Sequence, residues 1–225
     1  MTIPLSSKFL FIDFDSTFVK VETIDELAKK ILKGKSISNE ILNKISNITS
    51  KAMNGEISFP DALEQRLELL SITREDVTEV KDLISREVSD SFIENKEFIK
   101  SISESIWILS GGFKDIIAPI VADYGIKESH VLANSFIYRR NRVVGCDRDN
   151  PLAQDRGKIK AINKLNLSRD IVMIGDGFTD YEVYKEKASE AFICYTENIC
   201  REKIVKLSTY QANSFSDIIE IIKEL

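Results

Sequence analysis

The chain has 225 residues, 43% apolar and 30% charged, a composition typical of a globular protein with one sizeable core and a smaller insert. Its formal net charge of -5 argues against a nucleic-acid binder, which usually carries a basic excess. No run approaches the roughly 20 apolar residues needed to span a bilayer, so we expect no membrane partner. The three cysteines lack metal-ligand spacing and no signal peptide is visible, which together favour free thiols and a cytoplasmic location.

Three short apolar runs, at residues 9–12, 106–109 and 171–174, lack the alternation of half-exposed strands. They are typical of central parallel strands covered on both faces. We expect residues 191–194 to form a further strand.

Helical patterns separate these strands, at residues 113–124, 157–165 and 180–187. Alternating strands and helices predict an α/β fold with a doubly wound, Rossmann-like parallel sheet. Ligands of such sheets bind outside the carboxyl ends of the strands, where polar or glycine-rich residues follow each predicted strand.

Residues 20–95 show helix signatures and no obvious strand, which predicts a helical cap domain inserted after the first strand. The remaining residues, 1–19 and 96–225, would form the α/β core domain. Thr23 with Glu26 is predicted to be a capping box. The other predicted helix starts lie at Ser38, at Ser58 with Pro60, and at Thr73 with Asp76.

Two further elements are predicted in the core. Residues 135–145 have the pattern of a β-hairpin outside the parallel sheet. Residues 214–225 have that of a terminal amphipathic helix.

Asp13 and Asp15 directly follow the first predicted strand. In extended backbone, side chains at positions i and i+2 point the same way, so both carboxylates would face one spot. Oxygen ligands of this kind suit Mg²⁺. The alternative is an ordinary pair of loop or helix-capping aspartates.

Three other polar segments lie at or beside predicted strand ends. Asp176 follows the third strand and could complete a metal site, whereas Asp180 could equally be a first-turn acid of the next helix. Ser110 and Gly111 precede a predicted helix whose N–H groups would suit a phosphate, and Lys158 could add a cation. Because His130 is the single histidine and has no cysteine or acidic cluster beside it, carboxylates would perform any acid–base work.

In combination and in this order, these motifs resemble the haloacid dehalogenase superfamily of phosphatases. The resemblance implies a nucleophilic Asp13 and an acid–base Asp15. It also implies Mg²⁺ bound by Asp13, by Asp176 and by the backbone carbonyl of Asp15. Phosphate would be held by Ser110, Gly111 and Lys158, and Asp180 would orient Lys158 or a metal-bound water.

The segments around Glu22, from Met53 to Phe59, and at Arg66 resemble the phosphoserine phosphatase family more narrowly. This resemblance implies that Glu22 binds the ammonium group and Arg66 the carboxylate of a small phosphorylated amino acid. Met53, Phe59 and Thr179 would complete the substrate site, although many relatives carry asparagine at the position of Thr179. Residues 139–150 could not be matched to the family.

Three alternatives stay open at this point. One is a phosphatase for another small phosphomonoester, and another is a phosphotransferase that passes phosphate to an alcohol. A third is a non-catalytic binding protein of the same fold. The sequence does not distinguish a monomer from a homodimer.

Overall fold

The computed structural model describes residues 8–36, 38–168 and 170–225. Six strands form one parallel sheet in the order β3-β2-β1-β6-β7-β8, and two form a separate antiparallel pair. The strands are β1 Lys8–Ile12, β2 Ile106–Phe113, β3 Val131–Asn134, β4 Phe136–Arg139, β5 Arg142–Cys146, β6 Asp170–Gly175, β7 Ala191–Tyr195 and β8 Tyr210–Ala212. The doubly wound α/β fold is confirmed, and β3 and β8 are strands that the sequence analysis missed.

Eleven α-helices surround or extend from this sheet within the described residues. They are α1 Thr23–Leu32, α2 Ser38–Met53, α3 Phe59–Glu68, α4 Arg74–Ile84, α5 Asp90–Glu94, α6 Lys96–Ser101, α7 Lys114–Ala122, α8 Gly157–Lys164, α9 Phe178–Lys185, α10 Glu202–Val205 and α11 Phe215–Glu224. The three predicted core helices and the terminal helix are present with small shifts in their ends. None of the described helices has the length and apolar character required to cross a membrane.

The central strand β1 is covered on both faces, as its continuous apolar sequence predicted. Leu10 and Ile12 belong to one apolar cluster, whereas Phe11 lies in a second cluster with Met173 of β6. Alternate residues of a strand point to opposite faces, so β1 is fixed between two layers of helices. This burial holds the residue after Ile12 at the edge of the sheet.

Helices α1 to α4 lie between β1 and β2 in the chain and account for most of the predicted insert; its boundaries stay a prediction. The Ser58 cap and the Thr73–Asp76 capping box are both present. The predicted Thr23 capping box is wrong, since Glu22 occupies the N-cap position of α1. Thr23 is instead the first residue of the helix, and its N–H and its hydroxyl both donate to Asp15 Oδ1.

The predicted hairpin is confirmed as β4 and β5, outside the parallel sheet. It contacts the start of α4 through backbone hydrogen bonds. Val143 N donates to Ile72 O at 3.0 Å, and Arg74 N donates to Asn141 O at 3.1 Å. The hairpin therefore joins the core to the helical insert.

Candidate active site

The strand order brings the predicted polar segments together. Because β1 lies between β2 and β6, the carboxyl ends of these parallel strands meet at one edge of the sheet. Asp13, Ser110 and Asp176 stand at those ends, and each is at least 96% buried, with exposed fractions of 4%, 1% and 1%.

The chain leaves β1 through a wide turn, Phe14–Phe18. Val19 N donates to Phe14 O at 3.0 Å, a bond that spans five residues. Ser16 has a φ of 55°, in the left-handed region that residues other than glycine seldom adopt. Such strain persists only where surrounding contacts fix it, and it is frequent at functional sites.

Lys158 enters the site from the first turn of α8. Its Nζ lies 3.0 Å from Asp13 Oδ1 and 2.5 Å from Asp180 Oδ1. Burial alone would lower the pKa of Lys158, but the two carboxylates outweigh it and raise that pKa above its usual value. Lys158 is thus a permanent cation beside Asp13.

Asp180 combines the two roles that the sequence left open. Its Oδ2 accepts a hydrogen bond from Gly177 N at 3.0 Å and so caps α9, while Oδ1 binds Lys158. A Cβ at position 175 would collide with the Asp180 carboxylate, which explains the glycine at the end of β6. The Asp180 carboxylate is thus held at the start of α9 while it contacts Lys158.

Asp13, Asp176 and Asp180 form a buried acidic cluster. Each offers a carboxylate oxygen, and these oxygens lie within 4.8 Å of one another. Burial and the neighbouring negative charge of Asp13 raise the pKa values of Asp176 and Asp180, although Arg201 and Lys158 oppose the shifts. Three carboxylates against these two cations leave an excess of negative charge in the cluster. A set of hard oxygen donors with excess negative charge fits Mg²⁺.

The Asp15 side chain is not part of the acidic cluster of Asp13, Asp176 and Asp180. Its Oδ1 accepts hydrogen bonds from Thr23, at 3.1 Å from the backbone nitrogen and also from the hydroxyl. Burial raises the pKa of Asp15 to about 7; the Thr23 bonds oppose this shift and the Asp13 charge adds to it. Asp15 can therefore exchange a proton near neutral pH.

The Ser110 segment differs from its prediction. Ser110 and Gly111 belong to the irregular end of β2, and α7 begins only at Lys114, so these residues do not form the first turn of a helix. The Ser110 hydroxyl accepts a hydrogen bond from Gly112 N at 2.9 Å. A Cβ at Gly111 would collide with the Phe59 ring, so glycine permits the insert to pack closely against β2.

A cavity of about 270 Å³ lies between the sheet edge and the insert. Nine of the twelve predicted site residues line it: Asp13, Asp15, Met53, Phe59, Arg66, Ser110, Gly111, Lys158 and Thr179. Asp176 and Asp180 are in the acidic cluster, and Glu22 is not among the lining residues, although its charge acts on Asp15 and Arg66, which are. His130 is also elsewhere, stacked on Trp107 with ring centroids 4.2 Å apart.

Arg66 is only 3% exposed. Its Nε donates to Ala62 O at 3.1 Å and its Nη1 to Thr49 Oγ1 at 3.2 Å. The neighbouring Glu64 pairs instead with Arg148. Arg66 is therefore a buried cation at the cavity, and not the solvated helix charge that the sequence also allowed.

A comparison with protein-family models matches residues 10–185 to the haloacid dehalogenase-like hydrolases. The chain belongs to this family. The human protein named phosphoserine phosphatase is 30% identical over 220 residues, which cover 95% of this chain and 91% of the relative. The chloroplastic phosphoserine phosphatase of Arabidopsis thaliana is 29% identical over 92% of this chain and 69% of that relative.

Solved structures agree with this assignment. A phosphoserine phosphohydrolase-like protein from Francisella tularensis matches with a TM-score of 0.86 and 30% identity, covering 96% of this chain and 99% of the other. This haloacid dehalogenase-like hydrolase is thus a phosphoric monoester hydrolase of the phosphoserine phosphatase type.

The sequence analysis of this hydrolase missed Arg201 and Asn198, which follow β7. Arg201 Nε donates to Asp176 Oδ2 at 2.7 Å, and its Nη2 lies 3.4 Å from Glu22 Oε1. Asn198 Nδ2 donates to the carbonyl of Ser16 at 3.1 Å and so supports the strained turn. Their position after a predicted strand was the available signal, since β7 lies beside β6 in the sheet.

Proposed function

We propose that this hydrolase is a magnesium-dependent phosphoserine phosphatase that acts through an aspartyl-phosphate intermediate. The observation that carries the proposal is the placement of Asp13, paired with Lys158, and of the buried Arg66 on one cavity. A nucleophile and a carboxylate receptor thereby face the same small volume. The names of the human and Arabidopsis relatives support the same substrate.

In the first step, an oxygen of Asp13 forms a bond to phosphorus while the bond from phosphorus to the seryl oxygen breaks. Lys158 carries a positive charge beside Asp13, which favours approach of the phosphoryl group and stabilises its charge in the transition state. The Ser110 hydroxyl is placed to contact a further phosphoryl oxygen. Mg²⁺ held by Asp13, Asp176 and the Asp15 backbone would reduce repulsion between the carboxylate and the phosphate.

Asp15 supplies the proton that the leaving seryl oxygen needs, since its pKa of about 7 keeps a large share of it protonated at neutral pH. The resulting carboxylate then accepts a proton from water as that water attacks the phosphorus of the aspartyl-phosphate. Inorganic phosphate leaves and Asp13 is regenerated. The two Thr23 hydrogen bonds hold Asp15 in one orientation through both steps.

The substrate's amino-acid part would be held by Arg66 and Glu22. A guanidinium group matches a carboxylate with two parallel hydrogen bonds, and a buried acid suits an ammonium group. Burial has the largest effect on the pKa of Arg66 and lowers it. The negative charges of Glu22, Asp25 and Asp15 oppose that shift. Glu22 therefore influences Arg66 electrostatically, as expected of two groups that bind one amino acid.

The test is phosphate release from a panel of phosphomonoesters with Mg²⁺, with an EDTA control and with added alcohols as competing acceptors. We expect O-phosphoserine to be the best substrate, EDTA to abolish turnover, and water to be the acceptor. Asp13→Asn should abolish both turnover and the covalent phosphoenzyme, whereas Asp123→Asn, at an exposed position, should retain both. Turnover by Asp13→Asn would exclude the proposed nucleophile, and a better substrate without an ammonium group would exclude phosphoserine.

A further inference from the structure

Arg201 forms a bridge between two buried acids from different parts of the chain. Its Nε binds Asp176 Oδ2 at 2.7 Å, and its Nη2 lies 3.4 Å from Glu22 Oε1. The Arg201 side chain is only 9% exposed, and the Glu22 side chain 14%. One rigid guanidinium plane thus connects the acidic cluster with Glu22.

The bridge uses one oxygen of Glu22. The Ser16 hydroxyl donates to Oε1 of Glu22 at 2.8 Å, and Arg201 Nη2 donates to the same oxygen. Two donors on one oxygen fix the direction of the carboxylate, and Oε2 accepts no hydrogen bond from the described residues. Burial and the nearby charges of Asp15 and Asp176 raise the pKa of Glu22, whereas Arg201 lowers it and so supports the ionised form.

We propose that Arg201 is a positioning residue that fixes Glu22 as the receptor for the substrate's ammonium group, with Asp176 as the anchor of the guanidinium. The inference rests on the proposed function, because it assumes a substrate with an ammonium group. Arg201 acts through Glu22 and does not touch the reacting atoms. Without it, the Ser16 bond is the one side-chain hydrogen bond that Glu22 keeps to the described residues, and the carboxylate can rotate away.

The test compares kcat/KM for O-phosphoserine with kcat/KM for p-nitrophenyl phosphate, which lacks an ammonium group. The ratio of the two cancels any general loss that Arg201 variants suffer through Asp176. Arg201→Gln should lower this ratio about tenfold, the effect of roughly one charged hydrogen bond. Arg201→Lys should recover part of the ratio, because a lysine ammonium can bind one carboxylate but cannot bridge two in a fixed plane.

A double-mutant cycle shows whether Arg201 acts through Glu22. Glu22→Gln should lower the same ratio, and adding Arg201→Gln to it should lower the ratio little further, since the two residues act as one unit. Lys206→Gln removes one exposed cation directly after α10 and should leave the ratio unchanged. If Arg201→Gln fails to fold, the ratio for Arg201→Lys is compared with that of the wild-type protein instead.

The outcomes separate the two proposals. If Glu22→Gln lowers the ratio and neither Arg201 variant does, the role of Arg201 is excluded and the proposed function stands. Equal losses for both substrates, or full additivity in the double variant, would also exclude it and leave a purely structural role. If the wild-type protein hydrolyses p-nitrophenyl phosphate but not O-phosphoserine, the proposed function fails, and the inference with it.

Discussion

Lys158 Nζ lies 3.0 Å from Asp13 Oδ1, and both side chains are more than nine-tenths buried. The pair joins the end of β1 to the start of α8. Its isolation from water makes each charge depend on the other, because a buried charge without a partner is costly. This dependence can be measured separately from catalysis.

Lys158→Ala should reduce kcat/KM at least a thousandfold, because the phosphoryl group loses its buried cation. In EDTA, the same change should lower the free energy of unfolding by about 3 kcal/mol, since Asp13 and Asp180 lose their common partner. Urea unfolding and steady-state kinetics measure the two effects. Lys160→Ala, an exposed substitution on the same helix, is the control, and equal stability of the two variants would contradict the pairing.

Asp15→Asn should separate the two chemical steps. With p-nitrophenyl phosphate, whose leaving group needs little protonation, the variant should release about one equivalent of nitrophenol and then stop, because no base activates water. With O-phosphoserine, even the first step should be slow. Rapid-quench measurement of phosphoenzyme would detect the trapped species, and normal multiple turnover would exclude Asp15 as acid and base.

Arg66→Ala should lower kcat/KM for O-phosphoserine by at least a hundredfold and that for p-nitrophenyl phosphate by less than tenfold. The reason is that Arg66 would bind the amino-acid carboxylate, which the aryl substrate lacks. Arg86→Ala, at an exposed position in the loop after α4, should affect neither substrate. Equal losses with both substrates would remove Arg66 from substrate recognition.

Stability in the absence of metal should fall as pH rises from about 4 to 7. Over this range the folded protein retains a proton on Asp15, whose pKa is about 7, while the unfolded chain has released it at a pKa near 3.8. The folded state then binds more protons, so raising the pH favours unfolding. The raised pKa values of Glu22, Asp176 and Asp180 act in the same direction.

Thermal melting in EDTA across this range measures the effect. Asp15→Asn should make the melting temperature less dependent on pH, and Mg²⁺ should raise it most at the alkaline end, where the acids are ionised. A melting temperature that rises between pH 5 and 7 in EDTA would contradict the prediction.

Part of this architecture could be derived from sequence because the responsible signals are local. Continuous apolar runs identified β1, β6 and β7, and the polar residues after β1 and β6 identified Asp13 and Asp176. The short edge strands β3 and β8 were missed. Each has only three or four residues and depends on its neighbour in the sheet for hydrogen bonds.

Thr23 and Arg201 show why the remainder of the site could not be predicted from the sequence. Thr23 has the local pattern of a helix cap, but the helix begins at Thr23 itself, whose N–H and hydroxyl both donate to a carboxylate eight residues earlier. Arg201 is one basic residue among 31, and only the parallel pairing of β7 with β6 brings it to Asp176. Long-range partners of this kind leave no periodic pattern in the sequence.

The backbone bonds between the β4–β5 hairpin and the start of α4 bear on how this fold can be recombined. Ile72 and Arg74 share hydrogen bonds with Val143 and Asn141. A chimera that exchanges residues 20–95 alone must re-form these bonds between a foreign segment and the native hairpin. Because the hairpin also packs on the core, with Phe136 stacked on Phe113, its backbone constrains which foreign inserts the core can accept.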